Sequence, residues 1–146
     1  MQKHLGLFAF LGMPVLVGAG CSAPEGLSAD VVHQAVVAED DDFPIVVTVT
    51  NDSPEAQMID SVNISSGLYE GLLFNDSIPA NAGTESDDFG GNEIDFDGLE
   101  VAAGGSVDIT LDVNAFWPGD YFGSIDICFE GEDAGCLYES TSVTIE

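Results

Sequence analysis

From Ser106 to Val113 the chain alternates Val107, Ile109, Leu111 and Val113 with Asp108, Thr110 and Asp112. A period of two sends every apolar side chain to one side of an extended strand and every polar one to the other. The same beat recurs elsewhere. Ile45, Val47 and Val49 face one way, and Val46, Thr48 and Thr50 the other. Tyr121, Gly123, Ile125, Ile127 and Phe129 share a face of Tyr121–Phe129, and Leu137, Val143 and Ile145 turn inward along Cys136–Ile145. Asp30–Ala38, Met58–Ile64, Leu68–Phe74 and Ile94–Val101 are further strand candidates. Turns fall at Asn51-Asp52-Ser53-Pro54, Ala103-Gly104-Gly105 and Trp117-Pro118-Gly119-Asp120, where Gly supplies positive φ and Pro presets its own φ. No helix-length 3.6-residue period and no internal repeat stand out after residue 28. The pattern predicts an all-β fold, an antiparallel sandwich of about seven to eight strands.

Charge narrows the chemistry. The chain holds one basic residue, Lys3, against 27 Asp and Glu, for a net charge of −26. Every one of those acids follows Cys21. Beyond residue 3 no Lys or Arg can pair with a carboxylate, clamp a phosphate or hold a nucleic-acid backbone. Nucleic acid is therefore excluded as a partner, while cationic ligands, basic protein surfaces and divalent metals stay open. The carboxylates of a domain this size share a surface on the order of 6,000 Å², roughly 15 Å apart if evenly spread. The Debye length is about 8 Å at physiological salt and about 30 Å at 0.01 M. The fold is expected to tolerate high salt and to weaken on dilution.

The first 21 residues have a separate character. Met-Gln-Lys-His leads into an apolar stretch from Leu5 to Ala19 and then Gly20-Cys21. A positive start, a short apolar middle and small residues at the cut describe a secretory signal. About 15 apolar residues interrupted by glycine and proline fall short of the roughly 20 a spanning helix needs. Ala19-Gly20-Cys21 followed by Ser22 resembles the lipobox of bacterial lipoproteins, with Gly18 where that family usually has Leu, Val or Ile. The resemblance implies cleavage before Cys21 and a diacylglycerol on its sulfur. The alternative is an ordinary signal peptide that leaves Cys21 discarded or as a spare thiol. The expected organisation is a signal over 1–21, a tether over 22–28 and one domain over 29–146. The protein is expected to be exported and held to a bacterial membrane, on its periplasmic or surface side.

The strand ending Thr-Val-Thr-Asn-Asp-Ser, the Val-Asn-Ile-Ser strand, the Gly-Gly-Ser turn into Val-Asp-Ile-Thr-Leu-Asp-Val, and Trp-Pro-Gly-Asp-Tyr-Phe-Gly-Ser-Ile-Asp-Ile follow in that order. Over residues 30–146 this resembles the immunoglobulin-like domains of bacterial envelope proteins in the style of the HYDIN and ASPM-like group. It implies an immunoglobulin-like sandwich in which Tyr121 is a corner tyrosine, its hydroxyl bonded to upstream backbone. Trp117 is expected to fill that corner; the alternative is an exposed contact residue.

Cys128 and Cys136 flank a loop containing two glycines. Strand parity places Cys128 with Ser124 and Asp126, opposite Ile125 and Ile127, and places Cys136 opposite Leu137. Both thiols then point to the same side of a hairpin, as a cross-strand disulfide requires, and export supplies the oxidising compartment. There is no Cys-x-x-Cys and no nearby His for a zinc site.

Three acidic clusters are candidate sites: Glu39 with Asp40, Asp41 and Asp42; Asp87 and Asp88 with Glu93, Asp95 and Asp97; and Glu130, Glu132 and Asp133. Calcium takes six to eight oxygens, which clustered loop carboxylates can supply. Glu93-Ile-Asp95-Phe-Asp97-Gly98 resembles the opening of an EF-hand loop, but position twelve is Gly104 and no helical pattern flanks it. A solvated acidic face is the default reading, so Ca²⁺ is open but not favoured, and no cofactor is expected. His33, the one histidine after the leader, has no nucleophile motif beside it, and a copper site of the cupredoxin type wants two His. The reading favoured is a non-catalytic binding or structural module of the envelope. A calcium-dependent adhesion protein is second, and a carboxylate hydrolase, with paired acids of raised pKa in a cleft, is third.

Overall fold

The stretch Val107–Val113 folds as the alternation demands. Ile109, Leu111 and Val113 have no exposed surface, while Asp108 is exposed and Thr110 and Asp112, on the same outer face, are half-buried. A computed structural model of the chain describes residues 24–131 and 134–146. The segment expected as a signal, with Cys21 as its expected lipidation site, and Glu132 and Asp133 of the last acidic cluster lie outside the described residues. Among those described there are ten strands and one helical turn: β1 Leu27–Val32, β2 Val36–Val37, β3 Asp42–Asn51, β4 Gln57–Ile64, α1 Ser66–Tyr69, β5 Leu72–Ile78, β6 Gly83–Ser86, β7 Asn92–Val101, β8 Ser106–Ala115, β9 Gly119–Phe129 and β10 Cys136–Ile145.

The strands form two layers, as expected of an all-β sandwich. One sheet runs β1-β3-β8-β5 and the other β2-β10-β9-β4-β7-β6. All pairings are antiparallel except the short parallel contact of β2 with β10. Val47, Val49, Ile109, Leu111 and Val113 of the first sheet meet Ile59, Val62, Ile64, Ile94, Ile125 and Ile127 of the second, all fully buried. Burying an Ile or Leu side chain is worth about 1.5–3 kcal/mol. In a domain without Lys or Arg, this interior carries the stabilisation that ion pairs elsewhere share.

Several boundaries differ from the sequence reading. Asp30–Ala38, expected as one strand, divides: β1 starts earlier, at Leu27 inside the stretch expected as a tether, and β2 pairs in the opposite sheet. The chain changes sheets at His33-Gln34-Ala35. His33 Nδ1 donates to the Gln34 carbonyl at 2.7 Å, and Nε2 accepts from the Thr141 hydroxyl at 2.6 Å. A hydrogen-bonding side chain at a crossing is compatible with the local alternation, so the alternation did not reveal the break. Leu68–Phe74 also divides. Leu68 is buried in α1, and β5 begins at Leu72. β6 comes from a Gly- and Ser-rich stretch with little strand character. The sandwich therefore has ten strands rather than seven to eight, the additions being the short β2 and β6.

The turn at Asn51 is built on a saturated side chain. Asn51 is fully buried; its Nδ2 donates to the carbonyls of Glu55 at 2.8 Å and Val101 at 3.0 Å. Its Oδ1 accepts from the backbone N–H of Ser53 at 3.0 Å and the Ser53 hydroxyl at 2.6 Å. A buried polar group with every partner found ties its own loop to the end of β7 without a desolvation penalty.

Candidate functional site

The register sets two ends apart. At one end lie the Asn51 turn, the Ala102–Gly105 turn, the Cys128–Cys136 hairpin end and the entering segment, where Asp52 N–H bonds the Gly26 carbonyl at 2.9 Å. At the other lie α1, the turn 87–91, the link 116–118 and the turn before β3.

Large aromatic side chains gather at this second end. Phe89 is 87% exposed, Phe122 70% and Trp117 62%. Phe116 sits beside Trp117 with ring centroids 6.1 Å apart. The expectation that Trp117 fills a corner is corrected: the ring points to solvent, and Tyr121 occupies the corner. The Tyr121 hydroxyl donates to the carbonyls of Trp117 at 2.8 Å and Pro118 at 3.2 Å. Gly71 makes room for it, because a Cβ there would fall on the Tyr121 ring. Phe116 N–H bonds the Gly71 carbonyl at 2.9 Å. The Phe116–Trp117 pair is thus exposed on a fixed backbone, with Asp40, Asp41, Glu70 and Asp120 in the segments that bond or adjoin its flanks.

The second feature is the outer face of the six-stranded sheet. One cross-strand row runs Glu85, Glu93, Asn63, Asp126, Tyr138 through β6, β7, β4, β9 and β10. Its neighbour runs Gly83, Asp95, Ser61, Cys128, Cys136. Cys128 and Cys136 are opposite one another and joined by a disulfide, as parity predicts.

Glu85, Glu93 and Asp95 each bring a carboxylate oxygen within 4.8 Å of the others. Burial pushes the Glu93 carboxyl above its usual range, helped by a hydrogen bond shared with Asp95 and by repulsion from Asp95, Glu85 and Asp60. Of the calcium candidates, only Glu93 and Asp95 come together. Asp97 lies farther along β7, and Asp40, Asp41 and Asp42 lie at the start of β3 in the other sheet. Asp42 Oδ1 accepts instead from Asn114 at 2.9 Å and Asn75 at 3.1 Å. The segment resembling an EF-hand opening is a strand, which rules that loop out.

Asp87 caps the same face from its turn. Its Oδ2 accepts from Asn63 Nδ2 at 3.0 Å, and its Oδ1 from the N–H groups of Phe89 at 2.8 Å and Gly91 at 2.7 Å. Burial works to raise its pKa, but the hydrogen bonds from Asn63, Gly91, Phe89 and Gly90 outweigh it and hold the carboxyl below its ordinary value. Asp126 goes the other way: burial raises it, a hydrogen bond with Ser124 offsets part of that, and the charge of Asp87 adds to the rise. Sequence reasoning missed Glu85, Asn63, Asp126, Phe89 and Phe122. Glu85, Asn63 and Asp126 come from three strands that only the register aligns; Phe89 and Phe122 lie off that row, in the turn before β7 and nearer the start of β9.

No family model matches the chain, and a search of curated proteins finds no match. Solved structures resemble it in fold. The α2-macroglobulin of Salmonella reacted with methylamine matches over 82% of this chain with a TM-score of 0.55 and 18% identity, the chain spanning 7% of that protein's length. The cohesin module of a Clostridium perfringens family 33 glycoside hydrolase matches 82% of this chain and 96% of its own at a TM-score of 0.53 and 10% identity. AvmM, which catalyses macrocyclization in alchivemycin A biosynthesis, matches 88% of this chain and 93% of its own at a TM-score of 0.55 and 12% identity. These similarities define the class as an all-β sandwich. Within it, a macroglobulin segment, a cohesin module and a cyclising enzyme share the architecture, so function rests on the sites.

Proposed function

We propose that this chain is an exported, lipid-anchored, non-catalytic binding module of the cell envelope, whose aromatic rim engages a basic protein surface. The observation that carries the reading is the rim itself: Phe89, Trp117 and Phe122 exposed at the end opposite the entering segment, in a domain whose charge is wholly negative. Exposed aromatic rings beside carboxylates suit Lys and Arg side chains, through cation–π contact and charge pairing. Aromatic anchors dominate many protein interfaces. A tether at Cys21 would hold the opposite end toward the membrane and turn the rim outward. The lipobox-like leader supports the anchor, and the Cys128–Cys136 disulfide fits an oxidising compartment. No helix among the described residues is long and apolar enough to cross a membrane.

The test uses a deca-lysine peptide as probe. Trp117 fluorescence should respond to it, the response should weaken between 0.05 and 0.5 M NaCl, and Trp117→Ala with Phe89→Ala should remove binding observed by calorimetry. Amide shifts confined to the four-stranded sheet, or binding indifferent to both substitutions, would reject the rim. Intact-mass measurement of the membrane fraction should show a diacylglyceryl group on Cys21; a soluble, unmodified chain would reject the anchor.

Calcium-dependent adhesion is the second reading, favoured by the Glu85–Glu93–Asp95 cluster. Three clustered carboxylates fall short of calcium's six to eight oxygen ligands unless they bind bidentately or water completes the shell, so it ranks below the rim. A melting temperature raised by millimolar calcium beyond matched ionic strength would reverse that order.

A further inference from the structure

Asn63 and Asp126 are opposite each other on β4 and β9, and each has a buried side-chain Oδ1 with no hydrogen-bond donor. Two acceptors cannot satisfy each other. With no Lys or Arg after residue 3, the chain has no long cation to place between them. We infer that Asp126 carries a proton on Oδ1 and donates it to Asn63 Oδ1, so that one proton satisfies both buried oxygens. The groups around Asp126 fit this. Tyr138 is its partner on β10, Ser124 and Cys128 flank it on its own face of β9, Asp87 reaches over from its turn, and Glu93 lies one strand beyond Asn63. Among these neighbours the charge on Asp87 favours the protonated form.

The pair also sets the state of the turn above it. Asn63 has one amide group and stands between two carboxyls. While Asp126 is protonated, the Asn63 oxygen accepts from it and the nitrogen is free to donate to Asp87, as observed at 3.0 Å. When Asp126 loses its proton to water, its oxygen becomes a charged acceptor. Asp126 then competes with Asp87 for the Asn63 nitrogen, and turning that nitrogen toward Asp126 brings the amide oxygen toward Asp87. That exchange removes one of the three side-chain bonds holding the Asp87 turn, whose tip is Phe89. The device is a proton-operated latch: closed at lower pH, released as pH rises through the Asp126 midpoint. Its consequence for binding rests on the rim reading above; the protonation itself does not.

The experiment is a carboxyl-detected NMR titration of the purified chain, with amide shifts of Phe89 and Gly91 followed in parallel. Asp126 is expected to titrate above the ordinary Asp value of about 3.9. The Phe89 and Gly91 amides should report that midpoint, apart from a second step at lower pH from Asp87. In Asp126→Asn, a permanent donor faces Asn63, and the upper step in Phe89 and Gly91 should vanish with the turn held closed. In Asn63→Ala, Asp126 should still titrate, but the turn should no longer follow it. An Asp126 midpoint at or below the ordinary value in the wild-type chain would overturn the inference. So would turn amides blind to it, or a midpoint displaced by millimolar Ca²⁺ at matched ionic strength, which would put a cation between the oxygens instead. If the latch titrates as described but deca-lysine binds at no pH, the rim reading fails and the latch stands.

Discussion

The Tyr121 hydroxyl donates to the Trp117 carbonyl at 2.8 Å, four residues back along the chain. One residue turns inward so that the other can face out. Tyr121→Phe deletes the donor and leaves the ring. The cost should be about 1 kcal/mol, the net worth of one hydrogen bond, read as a lower denaturation midpoint. Trp117 fluorescence anisotropy should fall at the same time, because the backbone beneath the indole loses its tie. Unchanged anisotropy would mean that Gly71 and the flanking strands fix the link without Tyr121.

The Cys128–Cys136 bridge closes a short loop, the two cysteines being 8 residues apart. On the chain-entropy model such a ring adds about 2.5 kcal/mol. Paired Cys128→Ser and Cys136→Ser substitutions should lower unfolding free energy by that amount and leave the strand signature in far-ultraviolet circular dichroism intact. Loss of the fold altogether would show that the hairpin depends on the bridge.

Stability should fall as pH rises through the Glu93 transition. The folded state holds a proton on this carboxyl more tightly than the unfolded chain does, chiefly because of burial and then because of Asp95, Glu85 and Asp60. Its contribution is full below the unfolded value and lost as pH climbs through the raised folded one. Glu93→Gln should flatten that part of the pH–stability curve and make the protein more stable than wild type at neutral pH. Parallel curves for the two proteins would refute the assignment.

With 27 acids and no basic residue after Lys3, lengthening the Debye screen should destabilise the fold. The melting temperature is expected to fall steadily from 1 M to 0.01 M NaCl, most steeply below 0.1 M, where the screening length passes about 10 Å. A flat profile would show that the carboxylates are too well spaced to matter.

The layers and the interior were legible because their signal is periodic. Ile109, Leu111, Ile125 and Ile127 alternate with polar residues, and all four are fully buried. The disulfide was legible for the same reason, since parity alone put both thiols on one side of a hairpin. What escaped depended on which strand lies beside which. Glu85, Glu93, Asn63 and Asp126 come from four strands, and no local pattern says that they share a row. The sheet crossing at His33 escaped because its extended residues look alike in either sheet. The Tyr121 hydroxyl bonds upstream backbone at the corner, as the resemblance implies, while Trp117 takes the exposed alternative, because periodicity says nothing of which way a side chain in the Trp117–Pro118 link turns.

The path of the first strand has a mechanical consequence. β1 enters at the end farthest from the aromatic residues and lies antiparallel to β3 over its whole length. Tension between Pro24 and Trp117 runs along that strand and strains its hydrogen bonds together, in shear. Tension between Pro24 and Asp52, at the same end, would peel them apart one by one. The molecule is built to resist stretching in the one direction in which an anchored protein gripping a distant surface would be pulled.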